Sequence, residues 1–285
     1  MEKLLKVLTL VVGMTLILGL STTHAFNSAA HLYIAQQVYQ VQNKNTDLHY
    51  GSIAPDLALY TYPDKWPTSF EDTHYAYIDL RDYAHGLPQK AFAKGWLTHN
   101  EDWGADFYAH RMNPRNNKTC VTAGDYQGYV IEKACLLSAQ TGIYNPDFTH
   151  LVVEIAIDLL LRNNVDLNLG KKLLNANSSR SLVDRTLLAT VLVGNEQRTD
   201  RVTLATTELS FRTVVDLYAR ALKLPSPYNE QALAAIGSQL AELYGMELSE
   251  EEALDILEVA INLCKDDYKQ VIEEVISAIK VELGL

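Results

Sequence analysis

Cysteine is scarce. There are 3 in 285 residues, Cys120, Cys135 and Cys264, and no two form a Cys-x-x-Cys pair. That excludes a thioredoxin-type redox site and a cysteine-rich zinc knuckle. Proline and glycine are also few, 8 and 14, which excludes collagen-like and low-complexity chains. Basic residues are outnumbered, 24 Lys and Arg against 35 Asp and Glu, for a formal net charge of -11. A duplex-DNA binder held by phosphate contacts needs a basic face, so this balance argues against that class and against a stable nucleic-acid partner. Charge says nothing against an enzyme whose positive charge is bound metal. The apolar run Val7 to Leu20 is shorter than the ~20 residues that span a bilayer. What remains is a chain with 48% apolar residues and a mean hydropathy of -0.07. It can fill a sizeable core and is neither disordered nor a polytopic membrane protein.

The N-terminus has the pattern of an export signal. Lys3 and Lys6 precede the apolar run, and Ser21 to Ala25 ends in a small residue, as a signal-peptidase site does. Cleavage after Ala25 is expected, which makes residues 1–25 a signal peptide and the mature protein secreted or periplasmic. No cysteine follows the run, which argues against a lipoprotein anchor. Export permits disulfides. Cys120 and Cys135 flank a stretch containing Gly and Tyr and are expected to pair, a closure worth about 3 kcal/mol by loop entropy. Cys264 shares a helical face with Ala253, Leu257 and Ala260 and reads as a buried free thiol.

Few segments alternate with period two, and most show helical spacing. Helices are predicted over Ser28–Val41, from Pro88 to Met112, from Pro146 through Leu161, and over Ser181–Val193, Arg201–Leu222 and Glu230–Tyr244. Asn113-Pro114 would stop the second of these. Ser249-Glu250-Glu251-Glu252 has the form of a capping box opening a helix toward Cys264, with another running to the C-terminus. The predicted fold class is all-α. Residues 26–165 form its core, and residues 166–285 are further helices packed on it. Their acidic positions read most simply as a solvated face, and Trp66, Trp96 and Trp103 as core.

The histidines are segregated. Of the 8, all but His24 lie between His31 and His150, and core packing gives no reason for that. Several sit with carboxylates at chelating spacings. His150 and Glu154 are i,i+4 with Asp158 one turn on, and Asp106 and His110 are i,i+4. His99 precedes that pair at helical angles close to both. Neutral imidazole and carboxylate are what zinc takes when cysteine is absent. A lone histidine on a helix is usually structural or exposed, which is the reading given to His49 and His85. Asp56, in a Pro-Asp turn, could by itself be turn chemistry.

Taken together, these fragments resemble the bacterial zinc-dependent phospholipase C family, related to the N-terminal domain of glycosylphosphatidylinositol-specific phospholipase D. They are Phe26-Asn27-Ser28-Ala29-Ala30-His31, Gly51 to Asp56 with its Pro-Asp, Thr73-His74-Tyr75, Gly95 to His99 followed by Gly104 to His110, and His150-x-x-x-Glu154. The resemblance covers about residues 26–165. It implies a bundle of the phospholipase C/P1 nuclease type and three zinc ions in one cleft. Asp56, His74 and His99 would hold the first ion. Asp106 would bridge it to a second, completed by His31 and by the amino group and carbonyl of Phe26. His110, His150 and Glu154 would hold the third. Asp56 would also be the base for the attacking water, and Asp158 would accept a hydrogen bond from a ligand imidazole. The implied substrate is a phospholipid or other phosphoester, met by transient contact with a membrane surface. The alternatives are an S1/P1-like nuclease or phosphatase and a non-catalytic exported binding module. The S1/P1 nucleases use a similar site, but no Gly-Gly-Asn run or Asn-Leu-His is present. Against the binding module speak the ligands present at every position.

One departure stands out. The family usually has His-x-x-x-Asp, whereas His99 and Asp106 are separated by roughly 10 Å of rise on a regular helix, too far to share an ion. Either the helix breaks between Asn100 and Gly104, or Asp102, i+3 from His99, takes the carboxylate role.

Overall fold

Helical segments, several with side-chain caps, make up most of the computed structural model, which describes residues 27–41, 45–75, 78–112, 128–179 and 186–285. Among these residues there are helices and turns and no strand, so the chain is all-α. The proposed signal peptide, Phe26 and Cys120 lie outside the described residues, and so does the expected Cys120–Cys135 pairing.

Helix α1 (Ser28–Val38) starts at Asn27, whose side chain accepts from the Ser28 N–H. A short α2 (Thr46–Gly51) follows, then a 3-10 helix (Ala54–Tyr60), a π turn (Glu71–Tyr75) and another 3-10 turn (Leu80–Tyr83). Next come α3 (Leu87–Leu97), α4 (Ala105–His110) and α5 (Tyr129–Thr141). Helix α6 (Pro146–Asn164) is capped by Asn145, with Pro146 at the first position, where its missing N–H costs nothing. It is buried on nearly every face from Phe148 to Arg162, so it forms the axis of the bundle. Helix α7 (Leu169–Ser179), a π segment (Ala189–Asn195), α8 (Arg201–Lys223), α9 (Tyr228–Leu243), α10 (Glu250–Cys264) and α11 (Tyr268–Glu282) complete the chain. The capping box of Ser249 and Glu252 is formed in full.

The apolar core runs unbroken from Ala29 to Ile279. Helix α10 packs on α5 and α6, α8 on α7 and the 54–60 helix, and α11 on α1. Cys264 is the buried free thiol expected of it. Trp66 and Trp96 are fully buried, and Trp103 is partly so. No described helix is long and apolar enough to cross a membrane.

Three helices, α2, α5 and α7, carry no counterpart in the sequence reading. Residues 181–185 of the expected Ser181–Val193 helix are outside the described set, and the rest runs into the π segment. The expected continuous helix from Pro88 to Met112 is corrected. It stops at Leu97 and restarts at Ala105. The physical cause is Asn100, whose Oδ1 accepts from the N–H groups of Asp102, Trp103 and Gly104 at 3.0, 2.9 and 3.1 Å. A side chain that satisfies its own neighbours' amides competes with the helix ladder. Gly104 is required there, because a Cβ would sit 2.6 Å from Asn100 N.

Candidate metal centre

The break between α3 and α4 is an excursion, not a change of direction. Across it Ala105 N–H donates to Thr98 O and Asp106 N–H to His99 O, each at 2.9 Å. These bonds skip three extra residues, so Asp106 stands where the fourth residue after His99 would stand on an unbroken helix. A His-x-x-x-Asp spacing results, with three of the residues between Asn100 and Ala105 looped out. Asp102, the alternative, is exposed on that loop.

The fold gathers the candidate ligands into one buried cluster. Asp56 is in the first turn of the 54–60 helix, His74 in the 71–75 π turn, His31 on α1, Asp106 and His110 on α4, and His150 and Glu154 one turn apart on α6. His99 Nε2 lies 3.3 Å from Asp56 Oδ1 and 3.3 Å from Asp106 Oδ2. His74 Nε2 lies 3.7 and 3.5 Å from the same two oxygens. The other Asp106 oxygen, Oδ1, faces His31 Nε2 at 3.2 Å. One carboxylate thus addresses two sets of imidazoles with separate oxygens. His110 Nε2 is 3.3 Å from His150 Nε2, which is 3.0 Å from Glu154 Oε1.

These spacings are compatible with coordination of a metal ion. Donors about 2.0–2.2 Å from a tetrahedral ion are about 3.3–3.6 Å apart, whereas N–H···O bonds cluster near 2.9–3.0 Å. Most of the separations around Asp56 and Asp106 match the first. His99 Nε2 and both Asp106 carboxylate oxygens are buried with no hydrogen-bond partner, a costly state unless a cation completes them. The remaining ring nitrogens are turned to suit. His99 Nδ1 faces the Ser52 carbonyl at 2.8 Å. His74 Nδ1 faces Thr73 Oγ1 at 2.7 Å, whose proton goes to the Ser69 carbonyl. Both contacts hold the proton on Nδ1 and leave the Nε2 lone pair aimed into the cluster. Close backbone packing makes the Ser52 contact possible. Gly51 and Gly95 let α2 and α3 touch where a Cβ would come 2.1 Å from a facing carbonyl oxygen.

The buried charged groups of the cluster act strongly on one another. Burial and the carboxylates of Asp56, Asp158 and Asp106 push Glu154 well above its ordinary range. Burial also opposes the charge of Asp56 and Asp106, but His99 and its neighbouring imidazoles outweigh it and hold both carboxyls low. Burial lowers His99, and the Asp106 and Asp56 carboxylates outweigh that and raise it. Burial, then His99, lowers His31.

The expected role of Asp158 is corrected. It touches no ligand imidazole. Its oxygens accept from the N–H groups of Ala29 and Ala30 at 3.0 and 2.7 Å and from the Tyr218 hydroxyl at 2.8 Å. Burial pushes it up to about 7 against those hydrogen bonds. The carboxylate that does hold an imidazole is Glu101, which accepts from His110 Nδ1. The sequence reading passed over it because its spacing to His110 fits no helical rule. Only the fold reveals its burial in the loop between two candidate ligands. The cluster's carboxylates also act on Tyr60 and Tyr244. Both are half-buried. Besides burial, the Asp56 carboxylate pushes Tyr60 up, and Asp147 and Glu154 help push Tyr244 up to about 12. His49 is buried within the fold and His85 is exposed, and neither belongs to a candidate metal-holding group among the described residues.

Comparison of the chain with known protein families, with curated proteins and with solved structures finds no match.

Proposed function

We propose that the protein is an exported zinc-dependent phosphoric ester hydrolase of the phospholipase C type, built on the corresponding helical bundle. The observation that carries this is Asp106, a fully buried carboxylate with an oxygen toward His31 and an oxygen toward His74 and His99. Bridging of that kind suits a multinuclear site. Asp56, His74, His99 and Asp106 would hold one ion, Asp106 and His31 a second together with the Phe26 terminus, and His110, His150 and Glu154 a third. The ligand set of imidazole and carboxylate without thiolate suits zinc.

Bound zinc would supply Lewis acidity toward phosphate oxygens and a bound water of lowered pKa. The chain's own residues do the rest. Asp56 is the ligand carboxylate that meets solvent, its side chain 12% exposed where that of Asp106 is 0%. Ionised by the nearby imidazoles, it can accept a proton from an attacking water and orient that water toward phosphorus. His74 and His99 face Asp56 Oδ1 at 3.7 and 3.3 Å and hold it in place.

The test uses the mature zinc-loaded protein. Phosphorylated headgroup release from phosphatidylcholine vesicles, from other phospholipids and nucleotide release from single-stranded DNA are measured in parallel. Headgroup release lost on chelation and restored by zinc is expected. Nucleotide release without lipid hydrolysis would move the protein to an S1/P1-type nuclease, and hydrolysis of neither would refute the enzymatic reading.

A further inference from the structure

Glu101 lies in the excursion between His99 and Asp106, and its side chain is 1% exposed. Its contacts join three ligand-bearing segments. The backbone N–H donates to the His74 carbonyl at 3.1 Å. Oε1 accepts from His110 Nδ1. Oε2 accepts from Arg111 Nε at 3.1 Å, and Arg111 Nη2 donates to the Tyr75 hydroxyl at 2.9 Å while its guanidinium lies 5.0 Å from the Tyr75 ring.

An imidazole offers two nitrogens, and the hydrogen bond made by one decides what the other can do. With its proton held on Nδ1 by Glu101, His110 presents the Nε2 lone pair, and that atom faces His150 Nε2 at 3.3 Å. A carboxylate behind a ligand imidazole also makes the ring a stronger donor. The second Glu101 oxygen is committed to Arg111, so the carboxylate cannot rotate away. Glu101 is close enough to Asp106 and His110 to be considered a ligand itself. Its two hydrogen bonds and the direction of His110 Nε2, toward His150 and away from Glu101, argue for the supporting role.

We propose that Glu101 is a positioning residue. It fixes the Nδ1–H tautomer of His110, aims Nε2 at the cation shared with His150 and Glu154, and ties that cluster to the His74 segment through its own backbone. The looped-out residues between His99 and Asp106 are then a built part of the site. The identity of the cation rests on the zinc reading above, whereas the tautomer does not.

The experiment compares wild type, Glu101→Gln and Glu101→Ala. Nitrogen-15 NMR of the metal-free proteins reads the His110 tautomer, and chelator competition reads zinc affinity ion by ion. Wild type should show Nδ1–H. Glu101→Ala should shift His110 toward Nε2–H and weaken one ion by roughly 10–100-fold. The other two ions should bind as before, which also reports that the variant folds. Glu101→Gln keeps an accepting oxygen and should restore most of the tautomer and part of the affinity. An unchanged His110 tautomer in Glu101→Ala would overturn the proposal. So would a loss of one whole ion in Glu101→Gln equal to that in His110→Ala, because Glu101 would then be a ligand. If wild type binds no zinc, the phosphohydrolase reading fails, and the tautomer comparison still decides the role of Glu101.

Discussion

Replacing Asp106 by Asn separates a bridge from an outer ligand. The side chain is fully buried, with Oδ1 3.2 Å from His31 and Oδ2 3.3 and 3.5 Å from His99 and His74. Asn keeps the shape but turns one oxygen into an amide nitrogen that cannot coordinate. One imidazole set therefore faces a donor N–H, and the other keeps a neutral oxygen in place of an anion. Both ions are weakened by a single substitution. At a zinc concentration 100 times Kd each bound ion stabilises the fold by about 2.7 kcal/mol, so losing two costs about 5 kcal/mol. For a chain of this size that corresponds to a fall in Tm of roughly 10–20 °C.

The matched control is Asp102→Asn, in the same loop and exposed. A surface change of this kind stays within about 0.5 kcal/mol. Metal content and thermal unfolding are measured with zinc and again with excess chelator. Asp106→Asn should lose more than one ion and all hydrolysis, and its Tm deficit should shrink with chelator, where wild type is stripped as well. Asp102→Asn should match wild type throughout. Full metal content in Asp106→Asn, or equal losses in the two variants, would refute the bridging geometry.

Asp56→Asn should keep its zinc and lose roughly 10²–10⁴-fold in rate, the usual worth of a general base; near-normal turnover would place the base elsewhere. A mature form carrying one extra residue before Phe26 should bind one ion fewer, and equal zinc content would remove the N-terminal amine from the ligand scheme. His49 gives a test of stability against pH. Burial, then Lys172, pushes its imidazole down to about 4. Between the ordinary value of 6.5 and about 4 the unfolded chain takes up a proton that the folded chain refuses, so stability is full above that window and falls through it. The loss reaches about 3 kcal/mol at the low end. Urea midpoints of wild type and His49→Gln, followed across that range, should converge or cross as pH falls, and parallel curves would contradict the assignment.

Some helices legible in the sequence carry their own chemistry at their ends, whereas α9 and α11 were legible from periodicity without a side-chain cap. Asn145-Pro146, Asp200 and the Ser249 capping box fix start points through bonds made within three residues. Helix α5 lacks a side-chain cap at Gly128, so its apolar face at Val130, Ala134 and Leu137 had no boundary marking it. The site divides along the same line. His150 and Glu154 meet because they share one helix turn, and spacing alone shows that. The meeting of His99 with Asp106 depends on an asparagine side chain satisfying three amides and on a glycine where no Cβ fits. Periodicity sums over residues as if each advanced the helix by the same angle, and a loop that rejoins the ladder three residues late violates that assumption while preserving the register on either side. Glu101 could be found only after that loop is closed, because its partners His110, Arg111 and His74 lie on segments that no spacing rule connects. The substitutions that would best test the site's architecture are therefore those in the loop, Asn100 and Gly104 included, where the chain's departure from helix geometry places Glu101 and Asp106 among the ligands.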